Sequence, residues 1–146
     1  MNRKEFLQTC GCAALGALAV GSIATGCANT MYNAKFTRVG KVVVIPLSEF
    51  VDTTREIYQQ RPFVIINVLE QKYPIAVYAH PDQTFSALLL RCTHRNCELQ
   101  PQDDFLVCPC HGSEFTTHGA VQSPPALVNL DSFSVTKQNN NVEVRL

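Results

Sequence analysis

The sequence predicts an all-β domain, an antiparallel sandwich or barrel, on three observations. Short runs rich in Val, Ile, Phe and Tyr recur at strand length. Pro, Asp and Asn punctuate them, and only one stretch has even rough helical spacing. At 146 residues the chain has room for one core of ordinary size, and 46% hydrophobic with 16% charged is a globular composition. Lys plus Arg balances Asp plus Glu at 12 each, so no field steers the chain toward nucleic acid.

The first 26 residues are expected to be an address. Arg3 and Lys4 make a positive start, and no charged residue follows from Phe6 to Thr30. A membrane-spanning helix needs about 20 strongly apolar residues, and Gly11–Thr25 is too short and too rich in Gly and Ala. A secretory signal fits better. Ala24-Thr25-Gly26-Cys27 resembles a bacterial lipobox, which would make Cys27 the lipidated first residue of the mature protein. Asn2–Gln8 resembles a twin-arginine export signal with Lys4 in place of the second Arg. Either export route places the domain outside the cytoplasmic membrane. Residues 27–40, with little periodicity, are expected to be a tether, and 41–146 the folded domain.

Strands are expected over Lys41–Leu47, Phe63–Leu69, Tyr73–Ala79, Phe85–Arg91, Asp104–Cys108, Leu127–Lys137 and Val142–Leu146, with breaks at Pro62, Pro74 and Pro81-Asp82. The last two are joined across Gln138–Asn141. Ser48–Gln60 holds the one expected helix, with Ser48 as its cap and Phe50, Val51, Thr54 and Ile57 at rough helical spacing. His80 and His118 read as solvated loop residues. No internal repeat and no second domain are visible.

The cysteines carry the functional signal. Of seven, at 10, 12, 27, 92, 97, 108 and 110, four fall within 19 residues and interleave with two of the four histidines. Cys92-Thr93-His94-Arg95-Asn96-Cys97 and Cys108-Pro109-Cys110-His111-Gly112-Ser113 each offer a Cys–His pair on a loop after a strand. Two adjacent loops can aim four ligands at one point. Two cysteines and two histidines also permit a closed tetrahedral zinc site, so a structural zinc module stays open at this stage.

Together the two segments resemble the Rieske motif C-x-H-x-x-C … C-x-C-H-G-S of the cytochrome bc complexes, over about residues 85 to 130. The resemblance implies a two-loop cluster-binding subdomain holding a [2Fe–2S] cluster, with Cys92 and Cys108 on one iron and His94 and His111 on the other. The two further cysteines are implied to form a Cys97–Cys110 disulfide, worth about 3 kcal/mol of loop closure and stable only in an oxidising compartment. That agrees with the export signal. Ser113 is implied to bond a bridging sulfide, and Gly119-Ala120-Val121 with Pro125-Ala126 to cover the cluster from the far side. Replacing two thiolates by neutral imidazoles makes the site less negative, which is why such centres lie at roughly −150 to +300 mV rather than about −400 mV.

Four departures stand out. Arg95-Asn96 replaces a Leu-Gly pair that docks on cytochrome b, although Asn accepts the left-handed backbone better than most residues. Phe115 replaces a Tyr that bonds a cysteine sulfur, Thr116 an Asp, and Pro124 a Gly. The resemblance therefore implies an exported, lipid-anchored carrier of single electrons, or the small subunit of an oxidoreductase similar to arsenite oxidase, where Phe also follows the second motif. The Rieske subunit of a quinol–cytochrome c reductase is the alternative that Arg95 disfavours. The partner is a redox protein, a cytochrome or a catalytic subunit, and the chain is not expected to be a complete enzyme alone.

Overall fold

The computed structural model describes residues 31–53 and 59–146. In chain order the strands are β1 (Thr37–Val39), β2 (Val42–Pro46), β3 (Val51–Asp52), β4 (Gln59–Gln60), β5 (Phe63–Ile66), β6 (Ile75–Ala79), β7 (Phe85–Leu89), β8 (Gln100–Pro101), β9 (Phe105–Val107), β10 (Glu114–Thr116), β11 (Val121–Ser123), β12 (Ser132–Gln138) and β13 (Asn141–Arg145). A seven-stranded sheet runs β1-β2-β13-β12-β7-β6-β5, a four-stranded sheet runs β11-β10-β9-β8, and β3 pairs with β4. Every ladder is antiparallel.

Side-chain alternation assigns the two cores. Val64, Ile66, Ile75, Val77, Ala87 and Leu89 join Val43, Ile45, Val142 and Val144 in one cluster. Their neighbours Phe63, Ile65, Ala76, Tyr78, Leu88 and Leu90 face the small sheet, with Leu99, Leu106 and Phe115. Strands β5 and β6 are thus covered on both faces, which is why FVII and IAVY read as unbroken apolar runs. The row Leu88, Leu90 continues into Cys92, and Leu106 continues into Cys108. Both cysteines are therefore buried by the same two-residue period that builds the core.

Three expectations are corrected. Within the described residues, the helix over Ser48–Gln60 is a single 3-10 turn, Leu47–Phe50, entered from Pro46 with no side-chain cap. Phe50 is buried, and Arg61 takes the carbonyls a helix would use: its amide donates to Phe50 O (2.7 Å) and its guanidinium to Glu49 O (3.2 Å). Thr54 and Ile57 lie outside the described residues. The stretch from Tyr32 onward, inside the expected tether, is already bound to the domain. Ala34 is buried, its N–H donates to Ile65 O and the Ile65 N–H to Tyr32 O, while Thr37–Val39 forms β1. The strand expected from Leu127 begins only at Ser132, because the backbone of 126–130 is bonded to Ser113, Thr93 and Gly119 instead.

The hairpin β12–β13 turns across Asn139-Asn140 as expected, with Asn139 at φ 52°. No helix among the described residues is long and apolar enough to cross a membrane. Cys27 and the segment 1–26 lie outside the described residues.

Candidate metal centre

The two motif loops share one backbone plan. In the first, Cys92 N–H donates to Cys97 O (2.8 Å) and Asn96 N–H to Cys92 O (2.8 Å). In the second, Cys108 N–H donates to Ser113 O (2.8 Å) and Gly112 N–H to Cys108 O (2.9 Å). Each loop thus closes from a cysteine to the carbonyl five residues on, and the residue four on takes the left-handed conformation: Asn96 at φ 59° and Gly112 at φ 76°. Asn96 stands at the position equivalent to Gly112. That explains why this chain tolerates Asn there.

Cys92 and Cys108 are free thiols, both buried. Burial pushes the Cys108 thiol above its ordinary range, and the Cys92 thiol beside it adds to the rise. The amides of Cys110 and His111, which bond to its sulfur, pull the other way. The rings of His94 and His111 lie edge to face with centroids 4.9 Å apart. His111 is exposed and His94 half-buried, yet His94 Nδ1 is buried with no hydrogen-bond partner. A buried nitrogen without a partner costs about 1–3 kcal/mol unless something accepts its lone pair. A metal would.

Cys97 and Cys110 are joined, with an S–S distance of 2.05 Å, so the disulfide staples loop to loop. Their sulfurs and that of Cys108 lie within 4.8 Å of one another. Two of the three belong to the disulfide and have no thiolate to offer a metal, which leaves Cys108 from that group.

A third segment ties the loops together. Ala126 N–H donates to Ser113 Oγ (3.0 Å), and Thr93 Oγ1 donates to Val128 O (2.6 Å). Leu130 N–H donates to Gly119 O (2.8 Å), and Asn129 Oδ1 accepts from Val121 N–H (3.0 Å). Tyr73 Oη donates to Asn96 O (2.7 Å), fixing the left-handed residue from outside. Ser113 and Phe115 are fully buried, and Phe115 has no hydroxyl to offer. Thr93 and Tyr73 were not visible as site residues, because their hydroxyls act on backbone carbonyls far away in the chain. Of His80 and His118, both expected to be solvated loop residues, His118 is exposed and His80 half-buried, and their rings stack with centroids 4.1 Å apart.

A family model described as the Rieske [2Fe–2S] domain matches residues 48–134. The chain is 25% identical over 114 residues to the cytochrome b6-f complex iron-sulfur subunit of Chlorobaculum tepidum, covering 77% of this chain and 57% of that one. It therefore spans little more than half the length of that relative. Among solved structures it is similar to the cyanobacterial plasma membrane Rieske protein PetC3 from Synechocystis PCC 6803. The identity is 30% and the TM-score 0.53, over 58% of this chain and 87% of that one.

The shared loop plan predicts the response at position 96. Asn96→Gly should leave the denaturant midpoint nearly unchanged, whereas Asn96→Ala should be about 1 kcal/mol less stable than the Gly variant. Urea unfolding of both variants measures the difference.

Proposed function

Because the chain belongs to the Rieske [2Fe–2S] domain family, a domain that binds a [2Fe–2S] cluster and transfers electrons, we propose a specific ligand set, anchor and setting for it. Cys92 and Cys108 hold one iron, and His94 and His111 hold the other. The observation that carries this assignment is the pair of buried free thiols beside two imidazoles, one with an orphaned inward nitrogen. The donor set fits a mixed Cys/His cluster: two soft anionic sulfurs for one iron and two neutral nitrogens for the other. When bound, the cluster supplies one-electron redox chemistry.

The residues around it act on charge. The amides of Cys110 and His111 at the Cys108 sulfur favour negative charge there. Ser113 Oγ accepts the Ala126 amide, which leaves its own hydroxyl proton free to donate toward the cluster. His111 is the exposed ligand, so the electron enters and leaves on its side. The disulfide and the Thr93–Val128 bond hold both loops so that little rearrangement accompanies a change of charge.

On this reading the protein is an exported carrier, or the small subunit of an oxidoreductase complex, on the outer side of the cytoplasmic membrane. Cys27 carries its lipid anchor, and its partner is a cytochrome or a catalytic subunit. The Chlorobaculum relative supports a second reading as the iron–sulfur subunit of a quinol-oxidising complex. Arg95, exposed on the first loop with no ion-pair partner among the described residues, weighs against docking on an apolar cytochrome b surface.

Replacing His94 or His111 with Ser should abolish the visible and electron paramagnetic resonance signature of the purified protein. A variant that keeps the normal signature has lost no ligand, and a wild-type protein that holds only zinc overturns the cluster assignment. Ser113→Ala should lower the midpoint potential by several tens of millivolts, since one charge-assisted hydrogen bond is worth about 1.5 kcal/mol and about 59 mV is tenfold for one electron. Film voltammetry reads that shift; an unchanged potential on an intact cluster means the hydroxyl points elsewhere. Radioactive palmitate should label the wild-type chain in a bacterial host and not Cys27→Ser, and an unlabelled wild type refutes the anchor.

A further inference from the structure

The seam between the two sheets has the motif loops at one end and a pair of turns at the other. From the large sheet comes the β6–β7 turn, where His80 N–H donates to Thr84 O and Gln83 N–H to His80 O, both at 2.9 Å. From the small sheet comes the β10–β11 turn, where Gly119 N–H donates to Thr116 O (2.8 Å). Here His80 and His118 stack with centroids 4.1 Å apart and planes 12° from parallel. Ser86 and Cys92 are separated by roughly 20 Å of extended chain, so the pair is no part of the cluster site.

Hydrogen bonds fix the state of one ring. Ser86 donates its hydroxyl to Thr117 O at 2.5 Å, and His80 Nε2 lies 3.0 Å from the same hydroxyl oxygen. With the hydroxyl proton committed to Thr117, the imidazole must be the donor, so His80 carries a proton on Nε2. The relay therefore runs from one sheet to the backbone beside His118 on the other. The β10–β11 turn sits hard against the large sheet. Gly119 lies so close to Leu88 that a Cβ there would come within 2.8 Å of Leu88 Cδ2, at a φ of 86°. The two turns thus set the imidazoles face to face, His80 half-buried and His118 exposed.

We propose that the His80–His118 stack is a latch between the sheets operated by the proton of His80, closed while His80 is neutral and loosened when a proton charges it. The charged groups around it are few. Asp82, on the same turn, is held by the Thr84 N–H (3.0 Å) and hydroxyl (2.6 Å) and favours a charged His80. Lys137 reaches from β12 to Gln83 Oε1 (3.3 Å) and shares a groove with His80. Burial first, and then the His118 ring, lower the proton affinity of His80 against the pull of Asp82. The unfolded chain consequently binds that proton more readily than the folded one. The latch contributes fully above the ordinary histidine value of about 6.5, and its contribution is lost as pH falls through the window below that value. The turn that would be released leads into β11 and, through it, into the 126–130 segment that binds both motif loops.

The test uses the full cluster-loaded chain and His80→Gln, which keeps a flat side-chain N–H donor for Ser86 and cannot take a proton. At pH 7.5 the variant should match wild type in denaturant midpoint. On going to pH 5.5 the wild type should lose clearly more of its midpoint than the variant. Amide exchange over residues 117–120, with the intrinsic pH dependence removed, should accelerate on acidification in wild type only. Equal losses and equal exchange in the two proteins overturn the latch. Should His80→Gln fold poorly at pH 7.5, the ring titration of His80 by nuclear magnetic resonance in wild type and His118→Ala decides the matter: a midpoint that rises when the facing ring is removed upholds the latch, and one that stays put overturns it.

Discussion

Each motif loop is closed by a hydrogen bond from a cysteine amide to the carbonyl five residues further on, Cys92 to Cys97 and Cys108 to Ser113. The rest of the site depends on that pair of closures. They bring the chain round sharply enough that a residue four positions on must adopt positive φ, which Asn96 and Gly112 supply. They leave the cysteine side chains in the inward rows of β7 and β9 while the histidines project beyond the apolar layer. The disulfide then joins the closing residue of one loop, Cys97, to the middle of the other, Cys110. Two separately stable turns become one rigid clamp.

Rigidity and burial act together on the chemistry. Two thiols set at the end of an apolar row lie where water does not reach, so negative charge at the Cys108 sulfur is favoured by the amides of Cys110 and His111 instead. Phe115, fully buried in the same layer, gives packing and no donor. This layer therefore has one donor fewer than a chain with Tyr at that position. On the solvent side, Arg95 and His111 are exposed together with Leu127 and Val128. The 126–130 backbone is bonded at Ser113, Thr93, Gly119 and Val121, so those two apolar side chains are held outward by construction rather than by slack.

The large sheet explains why such a clamp is stable on so short a chain. Strands β5 and β6 are covered on both faces, so each of their residues contributes to one core or the other. The small sheet, built of strands of two or three residues, would not stand alone. It is held by Leu88, Leu90 and Tyr78 beneath it. The Tyr78 hydroxyl donates to Gln102 O (2.9 Å) and links the two sheets, and burial raises its proton affinity further. Coupling between the far-end turns and the motif loops would run through this shared layer.

The sequence alone determined whatever depends on neighbours in the chain. Alternation and turn residues marked β2, β5, β6, β7, β9 and the β12–β13 hairpin. The Cys–His spacing marked both loops, and the preference of Asn for positive φ was readable at Asn96. Resemblance supplied the disulfide pairing, which the structure contains. Tertiary structure decided whatever depends on contacts between distant segments. Strands β8, β10 and β11 are too short to show a period. Residues 32–39 look featureless until Ile65 and β2 pair with them, and 127–131 reads as a strand until Thr93 and Gly119 take its backbone groups. His80 and His118 are 38 positions apart in the numbering, and only the meeting of two sheets puts one ring against the other. Local propensity cannot encode such contacts, because each partner's conformation is set by a different stretch of chain.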